Sequence, residues 1–192
     1  MYLSSATATL GQRLRAASPK LPGLRPSRGA FNRSEVNRAL TKDEALKILR
    51  QAEDAGLVHS TGNFQERHSY ICNCCTCCCG ILRGVAEFSI PTAVARADFY
   101  SVVDIEICSG CGDCLARCQF EALSVPEGIC EVDISRCVGC GLCASACTEE
   151  ALHLQRRPIG EVPPPPENIK AWMVDRAIER NISLADILQS AA

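Results

Sequence analysis

Large side chains are scarce in this sequence: aromatic residues make up 5% of its 192 residues, and there is one tryptophan. No stretch approaches the roughly 18 consecutive apolar residues of a transmembrane helix, so no transmembrane segment is predicted. Residues 1–35 hold no continuous apolar run of the kind that a secretory signal peptide requires. A small fold with few aromatic rings usually needs a metal or disulfide bonds for its stability.

The 15 cysteines are the candidates for that role. Their number is odd, and many of them are close neighbours along the chain, so they cannot all pair as relaxed disulfides. A chain without a secretory signal is also expected to stay where thiols remain reduced. The cysteines therefore predict metal binding in the cytoplasm rather than a disulfide framework.

The start of the chain, up to Ser34, carries basic residues and no acidic ones, although the whole chain has a net charge of −2. A basic start that contains Ser and Ala is similar in composition to an organellar transit peptide, so a mitochondrial-type organelle is the alternative location. The simpler interpretation is a disordered extension over residues 1–40, or a start codon assigned too early. The basic residues are Arg13, Arg15, Lys20, Arg25, Arg28 and Arg33.

Residues 41–99 are predicted to form a mainly helical region that contains a cysteine-rich block. Thr41 and Glu44 have the spacing of a capping box, and the apolar residues that follow recur at helical spacing. Gly56 is placed to end this helix in a left-handed conformation.

Further helices are predicted on both sides of the cysteine motifs described below. Apolar residues over 81–88 recur at helical spacing and predict a helix that ends at Pro91, and another short helix is predicted over 92–98. Residues 157–192 begin with a Pro-rich linker and continue as C-terminal helices, the last of which is predicted to begin at Ser183.

The strongest signal is an internal repeat, in which the segment 104–123 superposes on the segment 133–152 without a gap. Four cysteines, two glycines and the sequence Glu-Ala-Leu coincide between the two segments. A repeated unit of this size predicts a pseudo-two-fold domain over residues 100–156. Short strands are predicted to flank its helices at 102–107, 123–125, 130–134 and 152–154.

Each copy of the repeat contains the spacing C-x2-C-x2-C-x3-C. Three cysteines spaced by two residues let one tight loop bind three irons of one cubane, and the fourth cysteine lies beyond the loop. Zinc sites usually consist of separated pairs of cysteines, so the doubled motif favours iron–sulfur clusters. Gly110, Gly112, Gly139 and Gly141 would let the loops turn and approach the clusters closely.

This doubled motif resembles that of bacterial-type ferredoxins with two 4Fe–4S clusters, and that of the dicluster modules in larger redox enzymes, over about 55 residues. The resemblance implies an α+β ferredoxin-like fold, two 4Fe–4S clusters and one-electron transfer. The fourth cysteine of each motif in this class ligates the other cluster. The family commonly has Pro after that cysteine, where this chain has Gln119 and Thr148. Cluster 1 would then be held by Cys108, Cys111, Cys114 and Cys147, and cluster 2 by Cys137, Cys140, Cys143 and Cys118.

Residues 100–156 carry nine acidic residues and few basic ones, among them Arg117 and Arg136. An acidic surface suits docking on a basic patch of a redox partner protein, and it argues against nucleic-acid binding. Cys130 lies outside both motifs and is predicted to be a core residue. Six apolar residues in and beside the motifs are predicted to shield the clusters from water: Ile105, Ile107, Leu115, Ile134, Val138 and Leu142.

The cysteine-rich block contains six cysteines within eight positions, namely Cys72, Cys74, Cys75, Cys77, Cys78 and Cys79. The first, third and fifth of these repeat the three-ligand spacing of a cubane, and the second and fourth form a separate C-x2-C pair. Cys79, His68 or a remote residue could complete a site, so a third cluster or another metal is one interpretation. The other interpretation is that these spacings arise by chance and that the cysteines pack as small apolar residues.

The motifs predict an iron–sulfur electron carrier or an electron-transfer subunit of an oxidoreductase rather than a stand-alone enzyme. The sequence contains no phosphate-binding loop, nucleophile elbow or H-E-x-x-H motif. Two alternatives remain: an enzyme subunit whose special metal site lies at 72–79, and a redox or iron sensor.

Overall fold

The computed structural model describes residues 40–66, 68 and 70–183. The predicted extension before residue 40 and the helix predicted to begin at Ser183 therefore lie outside the described residues, apart from their ends. The described residues fall into two compact units, of which the first holds Lys47–Ser60 and Cys72–Pro163. Within the described part, no helix is long and apolar enough to cross a membrane.

The second unit holds the described residues of 40–46, 61–71 and 164–183. Its segments are joined by main-chain hydrogen bonds, since the N–H of Gln65 donates to the carbonyl of Pro166 at 2.9 Å. A helix over Ile169–Glu179 (α5) begins at Asn168, whose side chain accepts hydrogen bonds from two main-chain N–H groups of the first turn. This helix lies within residues 157–192, for which the sequence predicts C-terminal helices after a Pro-rich linker.

The first helix (α1) spans Lys42–Asp54 and confirms the predicted capping box. The N–H of Glu44 donates to Thr41 Oγ1 at 3.2 Å, and the N–H of Thr41 donates to the Glu44 carboxylate at 2.8 Å. These bonds satisfy donors that have no partner inside the helix. Gly56 follows the helix with a φ of +76°, as its position predicted.

A small hairpin-like pair positions the start of the cysteine-rich block. Strand β1 (Val58–Ser60) pairs antiparallel with β2 (Cys72–Cys74), with Val58 opposite Cys74 and Ser60 opposite Cys72. Side chains alternate between the faces of a strand, so the two cysteines of β2 share one face, and the buried Asn73 faces the other way.

After the block, helix α2 spans Gly80–Ala86 and agrees with the predicted helix. The helix predicted over 92–98 is wrong, because only a single 3-10 turn forms there, over Pro91–Ala93. The residues after that turn are extended, with Val94 at φ −121° and ψ 149°, and they lead into the next strand.

Four strands and two short helices make up the region of the repeat. Strand β3 (Phe99–Val103) pairs antiparallel with β6 (Leu152–Arg156), and β4 (Leu123–Ser124) pairs with β5 (Glu131–Val132). The strand predicted over 102–107 ends at residue 103, since the chain turns there to approach the first cysteine motif. The mixture of helices and small sheets is an α+β fold.

The conformations of corresponding residues recur between the two copies of the repeat. Helices α3 (Asp113–Arg117) and α4 (Leu142–Ala146) each have five residues and each follow a glycine at positive φ. The residues that end these helices, Cys118 and Cys147, have nearly equal φ angles of −80° and −79°. The two strand pairs also correspond to each other, because the offset of the repeat relates the pair Val103–Leu152 to the pair Val132–Leu123.

Two apolar clusters of buried residues form the core of the first unit. One contains Val58, Leu82, Phe120 and Leu142, and the other contains Cys114, Cys130, Cys143 and Leu152. The second cluster is formed largely by sulfur, which fits a chain with few aromatic side chains.

The predicted apolar shield is only partly correct. Leu142 is buried and Val138 packs against its cluster. The other four residues stand at the surface in this structure, because they lie on turns and on the outer faces of the short helices: Ile105, Ile107, Leu115 and Ile134.

Candidate metal centre

Two glycines let the cysteine loops pass close to neighbouring main chain. Gly110 and Gly139 have φ angles of +66° and +72°, a region that L-residues with side chains rarely adopt. A Cβ on Gly110 would lie 1.9 Å from the carbonyl oxygen of Gly128, and one on Gly139 would lie 2.2 Å from that of Phe99. Both loops therefore require glycine for two independent reasons.

The two loops are also entered through equivalent turns. In the first turn, the N–H of Cys108 donates to the carbonyl of Asp104 at 3.1 Å, and the Asp104 carboxylate accepts from the N–H of residue 106. In the second turn, the N–H of Cys137 donates to the carbonyl of Asp133 at 3.0 Å. The hydrogen bonds with Ser135 lower the pKa of the Asp133 carboxyl, so this turn carries a negative charge at neutral pH.

A cavity joins thiols from both copies of the motif. Its lining includes Cys137, Cys140 and Cys143 from the second copy and Cys118 from the first. Phe120, Leu123 and Leu142 are among the apolar residues that close it. These are the four cysteines that the sequence analysis placed together. Thiolates are soft ligands, and four of them in a largely apolar cavity suit an iron–sulfur cluster.

Thiols of the other predicted set also lie near one another. The pKa of the Cys114 thiol is raised, mainly by burial. Cys111 and Cys147 are close enough to contribute to this rise. The N–H of Cys130 donates to Cys108 Sγ at 3.4 Å, and both Cys108 and Cys147 pack against the sulfur-rich core cluster. The structure thus places the fourth cysteine of the second motif beside the loop of the first.

Burial makes these thiols hard to ionise when no metal is bound. Burial, and to a smaller extent the neighbouring thiols of Cys143, Cys118 and Cys137, raise the pKa of Cys140 to about 11. Burial also raises the pKa of Cys143. Metal binding to such thiols must displace their protons, so loading of the site releases protons into solution.

The side chain of Gln119, the residue after Cys118, binds two other segments of the chain. Its Oε1 accepts from the N–H of Thr76 at 2.6 Å, and its Nε2 donates to the carbonyl of Gly56. A proline ring can make neither bond, so this residue links the turn after Cys118 to the cysteine-rich block.

Arg117, just before the same cysteine, binds the end of helix α1. Its guanidinium donates to the carbonyls of Asp54 at 2.9 Å and Glu53 at 2.6 Å. A cation at a helix C-terminus is stabilising because the terminal carbonyls carry partial negative charge.

The cysteine-rich block divides into two groups of thiols that differ from the predicted frames. Strand pairing holds Cys72 and Cys74 on one face of β2, and the thiols of Cys72 and Cys79 lie near that of Cys74. Burial, followed by the nearby charges of Cys79 and Cys72, raises the pKa of Cys74 to about 12. One group of neighbouring thiols therefore consists of Cys72, Cys74 and Cys79.

The second group consists of Cys75, Cys77 and Cys78, whose sulfur atoms all lie within 4.8 Å of one another. Cys75 and Cys77 form a disulfide here, and Cys77 Sγ is 3.5 Å from Cys78 Sγ. His68, which the sequence analysis named as one residue that could complete a site, lies in the second unit, where its Nδ1 is 3.1 Å from Thr61 Oγ1.

Two residues at the centre were missed as functional residues by the sequence analysis. Ser101 Oγ lies 3.0 Å from Cys143 Sγ, and Cys130 Sγ lies 3.6 Å from Cys114 Sγ. Cys130 is buried, which confirms the prediction that it belongs to the core. The repeat could have revealed the pair, because the offset between its two copies also relates residue 101 to residue 130.

Fold and site together define a ferredoxin-type iron–sulfur domain. The family described as 4Fe-4S binding domain matches residues 130–153, which contain the whole second motif. No curated protein sequence matches the chain. The family match implies that the chain binds at least one 4Fe–4S cluster.

Proposed function

We propose that this chain is an electron-transfer protein, or the electron-transfer subunit of an oxidoreductase, and that it binds two 4Fe–4S clusters. A bound cluster of this type accepts and releases one electron. The observation that carries the proposal is the cavity in which Cys118 of the first motif meets Cys137, Cys140 and Cys143 of the second.

We assign these four cysteines to cluster 2. The donor set supports the assignment, because each iron of a cubane needs one thiolate and the cavity provides four. The N–H of Ala122 donates to Cys118 Sγ at 3.3 Å, a bond that would stabilise a ligating thiolate.

We assign Cys108, Cys111, Cys114 and Cys147 to cluster 1. The support is a reciprocal arrangement. Cys147 lies near Cys114 of the first motif, and Cys118 lines a cavity with three cysteines of the second. Each of these fourth cysteines ends a helix of five residues. Such reciprocity is what a pseudo-two-fold domain over residues 100–156 would produce.

The position of the two sets favours exchange of electrons between them. Cys114 of cluster 1 and Cys143 of cluster 2 belong to the same buried core cluster. The chain's own role is to hold the thiolates, to donate hydrogen bonds to them and to limit their contact with water. All three tune the reduction potential of a bound cluster.

The acidic residues of this domain would guide the chain to a basic patch on a redox partner protein. The carboxylates of Glu106, Glu127 and Glu131 are on exposed residues. Charge attraction of this kind accelerates encounter and weakens as salt is added. We infer a reducing compartment, either the cytoplasm or a mitochondrial-type organelle, and no role in nucleic-acid binding.

The test of this function is coulometry on anaerobically purified protein at controlled potential. Two electrons per chain, taken up and released over repeated cycles, are expected for two clusters with one electron each. One electron per chain would limit the protein to a single cluster. Irreversible uptake would contradict a role as a carrier.

A third metal site within Cys72–Cys79 is a second candidate, which would favour an enzyme subunit. The grouping of Cys75, Cys77 and Cys78 within 4.8 Å supports it, provided that the disulfide is reduced so that thiolates become available. Cys74 and Cys79 pack against the same core cluster as Cys118 and Cys140, which would place a metal in this block next to cluster 2.

Metal analysis of the reduced protein distinguishes the two possibilities. A third cluster would bring the iron content to about twelve per chain rather than about eight. A double variant, Cys75→Ser with Cys78→Ser, should then lose the extra metal and keep the rest. If the variant and the parent chain hold equal amounts of iron and zinc, the block binds no metal.

A further inference from the structure

Two buried polar side chains outside both motifs occupy matching positions in the two halves of the domain. Ser101 and Cys130 are related by the same offset as the two copies of the repeat, and they are 2% and 3% exposed. Ser101 Oγ is 3.0 Å from Cys143 Sγ, and Cys130 Sγ is 3.6 Å from Cys114 Sγ. Cys143 and Cys114 are themselves the third cysteines of their motifs. The same contact is therefore made twice, with a hydroxyl on one side and a thiol on the other.

The direction of both hydrogen bonds follows from the ligand assignment. A thiolate bound to iron carries no proton, so Cys143 and Cys114 can only accept. Ser101 must then donate its hydroxyl proton, and Cys130 its S–H. Cys130 has a competing acceptor, since its Sγ is 3.9 Å from the carbonyl oxygen of Glu131.

The two donors differ in strength. A hydroxyl is a good hydrogen-bond donor and an S–H group is a weak one. The Ser101 contact is also shorter, and a donor to a charged sulfur stabilises it more than a donor to a neutral one. Burying a hydroxyl without a partner is costly, so a serine in this apolar core is best explained by its bond to sulfur.

We propose that Ser101 and Cys130 tune the two clusters, and that the stronger donor, Ser101, raises the reduction potential of cluster 2 relative to cluster 1. The proposal rests on the two-cluster function above. Reduction adds negative charge to a site, and a hydrogen bond to a ligand sulfur favours the more negative state. Removal of either donor should therefore lower the potential of one cluster only.

The experiment is a redox titration of the anaerobic full-length protein, followed by EPR, for the parent chain and single variants. Ser101→Ala should lower one midpoint potential and leave the other in place. Cys130→Ala should lower the other midpoint, by a smaller amount, because it removes the weaker donor. Ser101→Cys should give a lowering between those of the parent chain and Ser101→Ala.

Ser145→Ala is the matched control, because it removes a nearby hydroxyl that does not contact a sulfur. Ser145 Oγ donates instead to the carbonyls of Gly141 at 3.3 Å and Leu142 at 3.4 Å. We expect both midpoints to stay at the parent values. A shift in this control equal to that of Ser101→Ala would overturn the proposal.

Other results also decide against it. Unchanged midpoints in Ser101→Ala, or an equal shift of both, would show that Ser101 is not a donor to one cluster. If Ser101→Ala fails to retain iron, Ser101→Cys decides, and an unshifted midpoint there overturns the proposal. Failure of the two-cluster function is distinguishable, because the parent chain itself would then show fewer than about eight irons.

Discussion

Two regions of this chain hold all 15 of its cysteines but differ in how they arrange them. In the ferredoxin-type region, glycine loops and short helices separate the thiols, and four of them line one cavity. In the block at 72–79, six cysteines lie on one short strand, one turn and the start of one helix, and they divide into two groups. The first region brings cysteines that are distant in sequence to one cavity, whereas the cysteines of the second region are neighbours along the chain.

The comparison shows that backbone geometry, rather than the number of cysteines, defines a cluster site. A cubane needs thiolates from different directions, and a continuous strand or turn cannot provide them without a distant fourth residue. Cys118 is such a residue, since it lies far from Cys137 in sequence and faces the same cavity. Sulfurs within 4.8 Å of one another fit a single ion or a disulfide instead.

The largest expected effect is a loss of iron when one proposed ligand of either cluster is removed. Cys140→Ala and Cys111→Ala should each lose one cluster, or about half of the iron, because each removes a thiolate that no neighbour can replace. Iron and acid-labile sulfide analysis would measure this loss. Cys78→Ala is the matched change in the block, and it should leave the EPR signals of the ferredoxin-type region intact. An undiminished cluster content in Cys140→Ala would refute the ligand assignment.

The next effect concerns the loop geometry that separates the thiols. Gly139→Ala should lower the free energy of unfolding by about 2 kcal/mol or more, since it strains a positive φ and drives a Cβ into the carbonyl of Phe99. Gly160→Ala has a φ of +89° but meets no atom within 4 Å, so it isolates the cost of φ alone. Anaerobic thermal denaturation would compare them. Equal losses would mean that the close approach to Phe99 is unimportant.

The hydrogen bonds of Gln119 are expected to contribute less to the free energy of unfolding than the glycine loops do. Gln119→Ala should destabilise the protein by about 1–3 kcal/mol, because the N–H of Thr76 and the carbonyl of Gly56 lose their partner. Gln155→Ala, at an exposed position of β6, is the control and should have little effect. Chemical denaturation of both variants gives the difference. A neutral Gln119→Ala would show that the block is held in place by other contacts.

A pH effect should distinguish the cluster-free protein from the loaded protein. Burial raises the pKa of Cys140 to about 11 and that of Cys74 to about 12, so the folded chain keeps protons that the unfolded chain loses above about pH 9. The unfolding free energy of the cluster-free protein is therefore complete below about pH 9 and falls as the pH rises toward 11. Denaturation at several pH values measures this slope.

The loaded protein is the control for that slope, because ligated thiolates have no proton to lose. Its stability should depend less on pH between about 9 and 11. A cluster-free protein whose stability rises over this range would contradict the sign of the effect.

The smallest change in cluster content is expected from Cys130→Ala, which should retain both clusters. Cys130 contacts Cys114 and Cys108 through hydrogen bonds, but it belongs to neither ligand set. Iron analysis of the variant beside Cys111→Ala measures the difference. Loss of half of the iron would make Cys130 a ligand or an essential packing residue.

The repeat and the capping box could be read from sequence because each depends on local spacing. Thr41 and Glu44 contact each other across one helical turn, and the cysteine motifs fold as single loops. The bond between Ser101 and Cys143 was not predictable in the same way, since the tertiary fold brings together a strand residue and a helix residue that are 42 positions apart. The offset of the repeat does relate Ser101 to Cys130, but both residues lie outside the cysteine motifs.

The errors in the sequence analysis have a common physical origin. Ile105 and Ile134 were placed around the clusters by their apolar character, yet the turns that follow β3 and β5 direct them to the surface. In the block at 72–79, pairing with β1 makes the first three residues a strand, which the spacing of the cysteines did not predict. The local spacing of residues predicts helices, turns and candidate ligands. The contacts between segments distant in sequence decide which of these residues are buried together.

The most direct test of the account is the iron and acid-labile sulfide content of anaerobically purified protein, measured with its ferredoxin-type EPR signals after reduction. The account predicts about eight irons and eight sulfides from residues 100–156, together with two interacting spins. About four irons and an isolated spin would contradict it, because the thiols of the two motifs would then hold one cluster rather than two.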